Sequence, residues 1–565
     1  MNKEKKISSN FLIQGSILAV AGILVRIIGL IYRVPLNNIL GEEGVGYYST
    51  AYNIYAILLL LSSQSMPIAV SKLVSERKAK KEYVNMKRVF AGAIAYAIVI
   101  GVVVGLIAFF GADTLAGFYE RPSCARALRV LAPTLVIVSI IGVFRGYFQG
   151  MGDVVPTSVS QILEQIVNAV VSVVAAYQLY SYGWLLNEAA DTSTRHTDAA
   201  SFSAAGGTLG TCMGAFAAFI VLLVIYIKRR SNINNKAKND ETGKKDNYRT
   251  ISKVLIFTIT PILFSTTIYQ AGNLIDDAIY GKIMARIFGY AEKEISSLAG
   301  IYANYKLLTT MPMAIASALT LSLVPAVVAS YKTNKMDDVK RKIDMAFKFT
   351  MIIAFPCGVG LSVVGGPAYM LLFFKNNEMI SLMMLLSVFT VIFFSVSTIS
   401  NSILQSVDQL RMPIISSGIS LAIHVVLLSV MLIVFKMDIY AVVIGDFMFA
   451  FVICIINSIA LRKLINYKMD YKDVIIKPLL AALIMGIIAF AVYCGLDKLL
   501  LVILGDTRRI MTILANDIAV IIAIVIAIPT YFIALIKFGG ITEEQIINFP
   551  KGTLIKKICK KFKLL

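Results

Sequence analysis

Two arginines, Arg26 and Arg33, lie seven residues apart inside the first hydrophobic segment of the chain. Seven residues make almost two turns of an α-helix, so both side chains project from one face, about 10 Å apart. Arginine offers a planar fork of donors that suits phosphate oxygens, so the pair could hold a diphosphate. The alternative is that Arg33 reaches the outer headgroups of a bilayer and only Arg26 lies deep.

Other polar side chains within hydrophobic segments are candidate ligands for the same anionic group. Arg145 and Gln149 are four residues apart and share a helix face, and Glu164 could pair with one of the arginines. The alternative for Arg145 is that it extends to the cytoplasmic headgroups. Gly142, Gly146 and Gly150 in the same segment have four-residue spacing, which predicts close contact with another helix. Lys306 is a second candidate phosphate ligand, with Asn304 beside it. A polar run interrupts the second segment and could contact the ligand or serve helix packing: Ser62, Ser63 and Gln64.

Acidic and amide side chains form a second group of candidates. Asn273, Asp276 and Asp277 have helical neighbour spacing, and Asp446 is isolated in a later segment. An ionisable group at membrane depth usually faces a wet cavity or a partner, because burying its charge is costly. These residues could receive a coupling cation, Na⁺ or H⁺. The residues at 276 and 277 could instead pair with the arginines of the first segment, or lie solvated at the outer boundary.

Motifs for catalysis are missing from the sequence. It has only two histidines, His196 and His424, and it has no metal-ligand spacing, Walker loop, nucleophile elbow or paired cysteine motif. We therefore expect a protein that is not an enzyme and that holds no metal or cofactor. Cys124 and Cys494 fall near the predicted outer side and could pair in principle.

The elements that must position these residues follow from composition. Of the 565 residues, 58% are hydrophobic and 15% are charged, which excludes a soluble enzyme and a disordered protein. A membrane helix needs about 20 mostly apolar residues. The sequence predicts an all-α polytopic membrane protein with about fourteen such helices: 11–36, 46–71, 89–111, 128–151, 155–180, 203–227, 253–280, 298–330, 346–374, 379–406, 411–436, 438–461, 475–496 and 511–536.

The net charge of +21 is distributed unevenly among the connections. Basic connections alternate with balanced or acidic ones, and the positive-inside rule places the basic set in the cytoplasm. An even number of helices puts both termini on that same side. On this interpretation the basic charge sets orientation and attracts anionic lipids, and nucleic acid is not an expected partner.

Two six-helix lobes are predicted from internal similarity. Met66-Pro67-Ile68-Ala69 resembles Met311-Pro312-Met313-Ala314, about 245 residues later. The predicted organisation is an N-lobe over 1–228, a basic cytoplasmic linker over 229–250, a C-lobe over 251–462, and a helix pair with a basic tail over 463–565. Repeats of this kind commonly enclose a central cavity that opens alternately to the two sides, which favours a carrier.

Three motifs carry a family resemblance. They are Arg26-Ile27-Ile28-Gly29-Leu30-Ile31-Tyr32-Arg33, the run from Met66 to Glu76, and Phe144-Arg145-Gly146-Tyr147-Phe148-Gln149-Gly150. Together they resemble the polysaccharide-biosynthesis branch of the multidrug/oligosaccharidyl-lipid/polysaccharide (MOP) exporter superfamily. Within that branch the chain is similar to the stage V sporulation protein B-like group and to the MurJ lipid II flippases.

The resemblance implies a flippase that moves undecaprenyl-diphosphate-linked saccharide, lipid II in the leading interpretation, across a Gram-positive cell membrane. In MurJ-like proteins arginines of helix 1 line a cationic cavity, and Arg26 and Arg33 match them. The family's arginine in helix 2 is replaced here by the region Ser62 to Ser65, and Lys306 is the nearest match to the one in helix 8.

Several alternatives stay open from sequence. They are a teichoic-acid or capsular lipid substrate, a multidrug exporter, a membrane-embedded glycosyltransferase and a nonenzymatic cell-wall assembly scaffold. The expected partners are the lipid-linked oligosaccharide, anionic lipids and cell-wall synthesis proteins, and the expected oligomeric state is a monomer. The coupling cation or the membrane potential would supply the energy.

Overall fold

The computed structural model describes residues 2–64, 66–186, 188, 190–238, 240, 242, 246–249, 251, 253, 272, 275–409, 411–504 and 509–541. All regular secondary structure in these ranges is helical. The α-helices are α1 (Asn2–Leu59), α2 (Met66–Ala79), α3 (Tyr83–Phe110), α4 (Ala112–Phe118), α5 (Ala125–Gly150), α6 (Val155–Leu186), α7 (Thr192–Lys238), α8 (275–286), α9 (Glu292–Lys332), α10 (Met336–Phe373), α11 (Glu378–Leu385), α12 (Ser387–Ser406), α13 (Arg411–Ile433), α14 (Ile439–Ile465), α15 (Lys477–Leu504) and α16 (Arg509–Lys537).

The helices have the length and surface of membrane-spanning elements. Within the described ranges, eleven helical stretches are long and apolar enough to cross a bilayer. Large apolar side chains project outward from them, among them Phe110 on α3 and Val502 on α15, which are 76% and 83% exposed. Such a surface is stable only against lipid. The predicted fold class, an all-α multi-pass membrane protein, is confirmed. The count of fourteen and the cytoplasmic position of both termini stay predictions, because most of 253–280 and all of 542–565 lie outside the described residues.

Helix α1 runs through the connection that the sequence placed between the first two segments. Leu40 and Val45 in that connection are buried, as is Leu36 just before it, and the backbone is helical on both sides of Gly41 where the sequence predicted a loop. A turn is confined to Gly41, whose φ of 66° and ψ of 178° suit a residue without a Cβ. The two halves of α1 are therefore separate helices joined at one residue.

A π-helical turn, Leu60–Gln64, separates α1 from α2. The hydroxyls of Ser62 and Ser63 donate to the carbonyl of Leu59 at 3.4 and 3.2 Å. Side-chain bonds to the backbone of the preceding turn compete with regular α-helical bonds. The break that the sequence predicted at this polar run is confirmed.

The chain forms two compact units, Met1–Ala303 and Asn304–Leu565. In the first unit, glycines on one face of α5 let α2 approach closely. A Cβ at Gly146 would lie 2.7 Å from the carbonyl oxygen of Pro67, and one at Gly150 would lie 2.7 Å from the Cβ of Val74. Gly142 lies one turn earlier on the same face. The close helix contact predicted from this small-residue spacing is confirmed.

The second unit is built on α10, against which the C-terminal pair α15 and α16 packs. The Tyr531 hydroxyl of α16 donates to the carbonyl of Ile352 at 2.8 Å, and a Cβ at Gly486 of α15 would lie 2.6 Å from Val359. The helix pair is thus integrated into the core of this unit. The two-lobe organisation with boundaries at 228, 250 and 462 stays a prediction.

Candidate functional site

Arg33, on the first half of α1, lies beside a cluster of tyrosines from the second half. Its guanidinium carbon is 5.9 Å from the ring centroid of Tyr52, which stacks on Tyr48 with centroids 5.9 Å apart and planes at 17°. Tyr55 follows, 5.6 Å from Tyr52. The turn at Gly41 brings these rings back beside Arg33. A cation over an aromatic face is stabilised while its N–H edge stays available for an anion.

Arg26 lies one heptad earlier on α1 and is exposed. Its neighbours Ile23, Leu24 and Ile27 are exposed apolar side chains, at 48%, 43% and 45%. The guanidinium is therefore presented from a surface that is otherwise apolar. Arg33 is half-buried, so the two arginines differ in their exposure.

Arg145 is held by an ion pair with Glu164. Its Nη2 is 2.6 Å from Oε2 of Glu164, and its Nε donates to the Ser160 hydroxyl at 3.1 Å. Both partners lie on α6, and the arginine is 14% exposed. The pairing that the sequence allowed is present, and it fixes Arg145 against α6. Gln149, one turn away, is half-buried.

Two serines that the sequence offered as ligands of the substrate headgroup, Ser62 and Ser63, form part of the helix break. Ser62 and Ser63 are 2% and 4% exposed. Besides its own bond, Ser62 accepts through its carbonyl from Ser139 of α5 at 3.4 Å. The side chain of Gln64 lies outside the described part of the chain. The structure therefore explains Ser62 and Ser63 by local backbone geometry.

Lys306 and Asp446 form an ion pair within the second unit. The lysine Nζ is 3.2 Å from Oδ2 of Asp446, and the two side chains are 25% and 6% exposed. Next to Lys306 on α9, Asn304 is 3% exposed, and the Tyr305 hydroxyl shares a 2.8 Å hydrogen bond with Thr390 of α12. A candidate phosphate ligand and a candidate cation ligand thus contact each other.

Asp277 is bound by residues that sequence reasoning did not select. Its Oδ1 is 2.5 Å from Nη1 of Arg121, and its Oδ2 accepts from the Thr50 hydroxyl at 3.0 Å. Arg121 also donates to Thr50. The arginine is fully buried, and its Nε and Nη2 have no hydrogen-bond partner among the described residues. Asp276 is 3% exposed, and Asn273 lies outside the described residues.

More contacts join the segment 275–303 to the predicted outer connections. Arg286 pairs with Glu120 at 2.7 Å, and the backbone N–H of Ser123 donates to Glu292 at 2.7 Å. Burial raises the pKa of the Glu292 carboxyl above its ordinary value, although the Ser123 bonds oppose this shift. A Cβ at Gly300 would overlap the carbonyl of Glu42, so these backbones pack with no space between them.

The described residues contain no group of three or more His, Cys, Asp or Glu side chains that could hold a metal ion. Cys124 and Cys494 are free thiols in the structure.

Comparison with known proteins places the chain in a family. The model of the family described as polysaccharide biosynthesis protein matches residues 12–330, more than half of the sequence. The chain belongs to this family. The resemblance inferred from the three sequence motifs is confirmed.

Two relatives from Bacillus subtilis (strain 168) and one solved structure extend the match. The chain is 23% identical to lipid II flippase MurJ over 437 residues, which is 74% of this chain and 77% of that protein. It is 26% identical to stage V sporulation protein B over 355 residues, 62% of this chain and 63% of that protein. The structure of lipid II flippase MurJ in an inward closed conformation superposes with a TM-score of 0.62 at 14% identity, covering 92% of this chain and 97% of that one. The solved structure establishes a shared fold.

Proposed function

We propose that the protein is a flippase that moves undecaprenyl-diphosphate-linked saccharide from the inner to the outer leaflet of a Gram-positive bacterial cell membrane, with lipid II as its substrate. The observation that carries the proposal is the pair Arg26 and Arg33 on α1, exposed and half-buried in an apolar helix of a chain from this family. The relative named lipid II flippase MurJ supports the choice of substrate.

The chemistry of the arginine pair fits a diphosphate. A lipid diphosphate cannot carry its charge through hydrocarbon unaided, because an ion in that medium loses its hydration. Two guanidiniums about 10 Å apart along α1 offer bidentate donors to both phosphates. Tyr52 stacks under Arg33 and orients its donor edge. The prenyl tail can stay in lipid beside the exposed apolar residues around Arg26.

Transport requires two conformations of similar free energy that contact the substrate differently. We propose that the membrane potential drives the step, because each charge moved is worth about 2.3 kcal/mol per 100 mV. A cation, Na⁺ or H⁺, bound at the Asp276–Asp277 pair or at Asp446 is the alternative source. The protein acts as a transporter without covalent chemistry, as a monomer in contact with anionic lipids and cell-wall synthesis proteins.

Depletion of the native lipid II flippase in a bacterium that expresses this chain tests the proposal. We expect the chain to restore outer-leaflet lipid II and growth. A stably inserted protein that restores neither would refute lipid II as substrate. Export of a teichoic-acid or capsular lipid intermediate in the same cells would assign the alternative substrate.

The arginine pair is tested in the same strain. Arg26→Ala should abolish rescue at unchanged protein level, because the side chain is exposed and its removal leaves no cavity. Arg26→Lys keeps the charge and is expected to retain part of the activity. Full rescue by Arg26→Ala would refute the proposed binding of the diphosphate by Arg26 and Arg33.

A further inference from the structure

The ion pair between Lys306 and Asp446 has an unusual environment for two charges. Lys306 lies inside α9 and Asp446 inside α14, and both helices are dominated by apolar residues. The Asp446 side chain is 6% exposed and the Lys306 side chain is 25% exposed, at an Nζ–Oδ2 distance of 3.2 Å. Charges at membrane depth are tolerated when they neutralise each other. The pair therefore carries no net charge as the structure presents it.

Both members of the pair are held in place by neighbouring contacts. On α9, the Tyr305–Thr390 hydrogen bond fixes the residue that precedes Lys306. On α14, the Nδ1 of His424 lies 2.9 Å from the carbonyl of Gly445, the residue that precedes Asp446. A Cβ at Gly445 would lie 2.8 Å from the His424 ring, so the glycine is needed for this contact. The carboxylate is thus presented to the lysine by a packed backbone.

The exposure of the two partners differs in a way that matters for ligand exchange. The lysine is four times as exposed as the aspartate, so an incoming anion reaches the ammonium first. Lysine is a flexible point charge that can turn from one oxygen ligand to another. The aspartate is buried and held in place, so the ion pair re-forms only when the lysine side chain moves back to it.

We propose that Asp446 is an internal counter-ion which occupies Lys306 in the empty carrier and which the substrate's diphosphate displaces. This inference rests on the proposed flippase function. The lysine ammonium occupies the position beside Asp446 that a transported cation would need. The substrate-free protein therefore returns to its starting conformation with a neutral ion pair, and no Na⁺ or H⁺ is bound at Asp446. Asp446 is a positioning residue that drives product release, because its carboxylate competes with the phosphates for the same ammonium.

The competition also sets substrate class at this position. A diphosphate offers several anionic oxygens and can replace one carboxylate, whereas a neutral or cationic molecule cannot. An anion at Lys306 is therefore accepted only when its charge exceeds what it displaces. A cationic molecule at this position would meet the ammonium of Lys306 and is disfavoured there for an electrostatic reason.

Binding and flipping of undecaprenyl diphosphate by the full-length protein in proteoliposomes test the inference. In Asp446→Asn, where the competitor is removed, we expect about tenfold tighter binding and at least tenfold slower turnover. Lys306→Gln should weaken binding about tenfold. Asp446→Glu keeps the counter-ion and should behave as the wild type. Asp517→Asn removes an acidic residue of α16 outside the pair and serves as the matched control.

The outcomes separate this inference from the proposed function. If the wild type neither binds nor flips undecaprenyl diphosphate or lipid II, the proposed function fails. If the wild type does both and a folded Asp446→Asn protein keeps the wild-type affinity, the counter-ion is refuted. A wild-type flipping rate that requires Na⁺, with the requirement abolished in Asp446→Asn, would also refute it and assign a cation site. Failure of Asp446→Glu to restore wild-type affinity and rate counts against the charge argument as well.

Discussion

Arginine chemistry differs among the intramembrane positions of this protein. Arg33 keeps one face on Tyr52, whereas Arg145 is committed to Glu164 and Ser160. A guanidinium held by a carboxylate must give up a charge-assisted bond before it can bind a phosphate, whereas one held by a ring does not. Among the residues predicted from sequence, Arg33 is therefore better prepared for an anion than Arg145.

The variants Arg33→Lys and Arg33→Ala test whether Arg33 binds the phosphates of the substrate. We expect lipid II flipping in proteoliposomes to fall about tenfold in Arg33→Lys, which loses the planar fork, and about a hundredfold in Arg33→Ala, which loses a charged hydrogen bond of roughly 1.5–3 kcal/mol. Arg129→Ala is the matched control, because Arg129 is 39% exposed and pairs with Asp113, which is 70% exposed. Equal rates in Arg33→Ala and Arg129→Ala would exclude Arg33 from substrate binding.

The sequence identified the basic side chains within hydrophobic segments. It did not identify their ion-pair partners, because those lie far away along the chain. Lys306 and Asp446 were each selected, one for substrate and one for a cation, and their contact could not be read from helical periodicity. Arg121 was missed because it lies in a short connection between Glu120 and Pro122, where a charge is normally solvated. Its carboxylate partner lies 156 residues later.

At the scale of the helices, glycine spacing was the most informative local signal. Gly142, Gly146 and Gly150 predicted a close contact, and α2 occupies that face of α5. The polar run at 62–64 likewise predicted the break that the structure shows as a π-helical turn. The helical backbone on both sides of Gly41 within 37–45 was not predicted, because burial of Leu36 and Leu40 comes from tertiary packing.

Gly146→Ala measures the α2–α5 contact. The new Cβ would lie 2.7 Å from the Pro67 oxygen and 2.9 Å from the Val70 Cβ, so the helices must separate. We expect a loss of about 1–3 kcal/mol in stability, seen as a lower midpoint of thermal unfolding in detergent. Gly418→Ala on α13 meets no heavy atom within 4 Å and should be neutral or stabilising by up to about 1 kcal/mol. Similar midpoints for the two variants would contradict the close packing.

At the scale of the whole molecule, the contacts around Asp277 connect segments that are far apart in sequence within the first compact unit. Thr50 belongs to α1, Arg121 to the connection after α4, and Asp277 to α8. By the predicted topology all three lie toward the outer side. Arg121 is fully buried with a single carboxylate and with two nitrogens that lack partners among the described residues. Its charge is therefore compensated by one carboxylate, which a single substitution can remove, while the Thr50 hydroxyl is a neutral partner.

Asp277→Asn should therefore loosen the packing around Arg121 within the first unit. Removing one partner of a buried ion pair leaves an uncompensated charge and costs about 3–5 kcal/mol, so the packed arrangement of these segments should lose most of its population. Ser296, which is fully buried against Gly46, reports the change when replaced by cysteine. We expect a membrane-impermeant maleimide added outside intact cells to label Ser296→Cys slowly, and to label it at least tenfold faster when Asp277→Asn is also present. The double variant Arg121→Asp with Asp277→Arg exchanges the two charges and should restore slow labelling. Asp113→Asn is the control, because it breaks the exposed pair of Arg129 and Asp113 and should leave labelling unchanged. Unchanged labelling in a folded Asp277→Asn protein would show that this ion pair does not keep the segment around Ser296 packed.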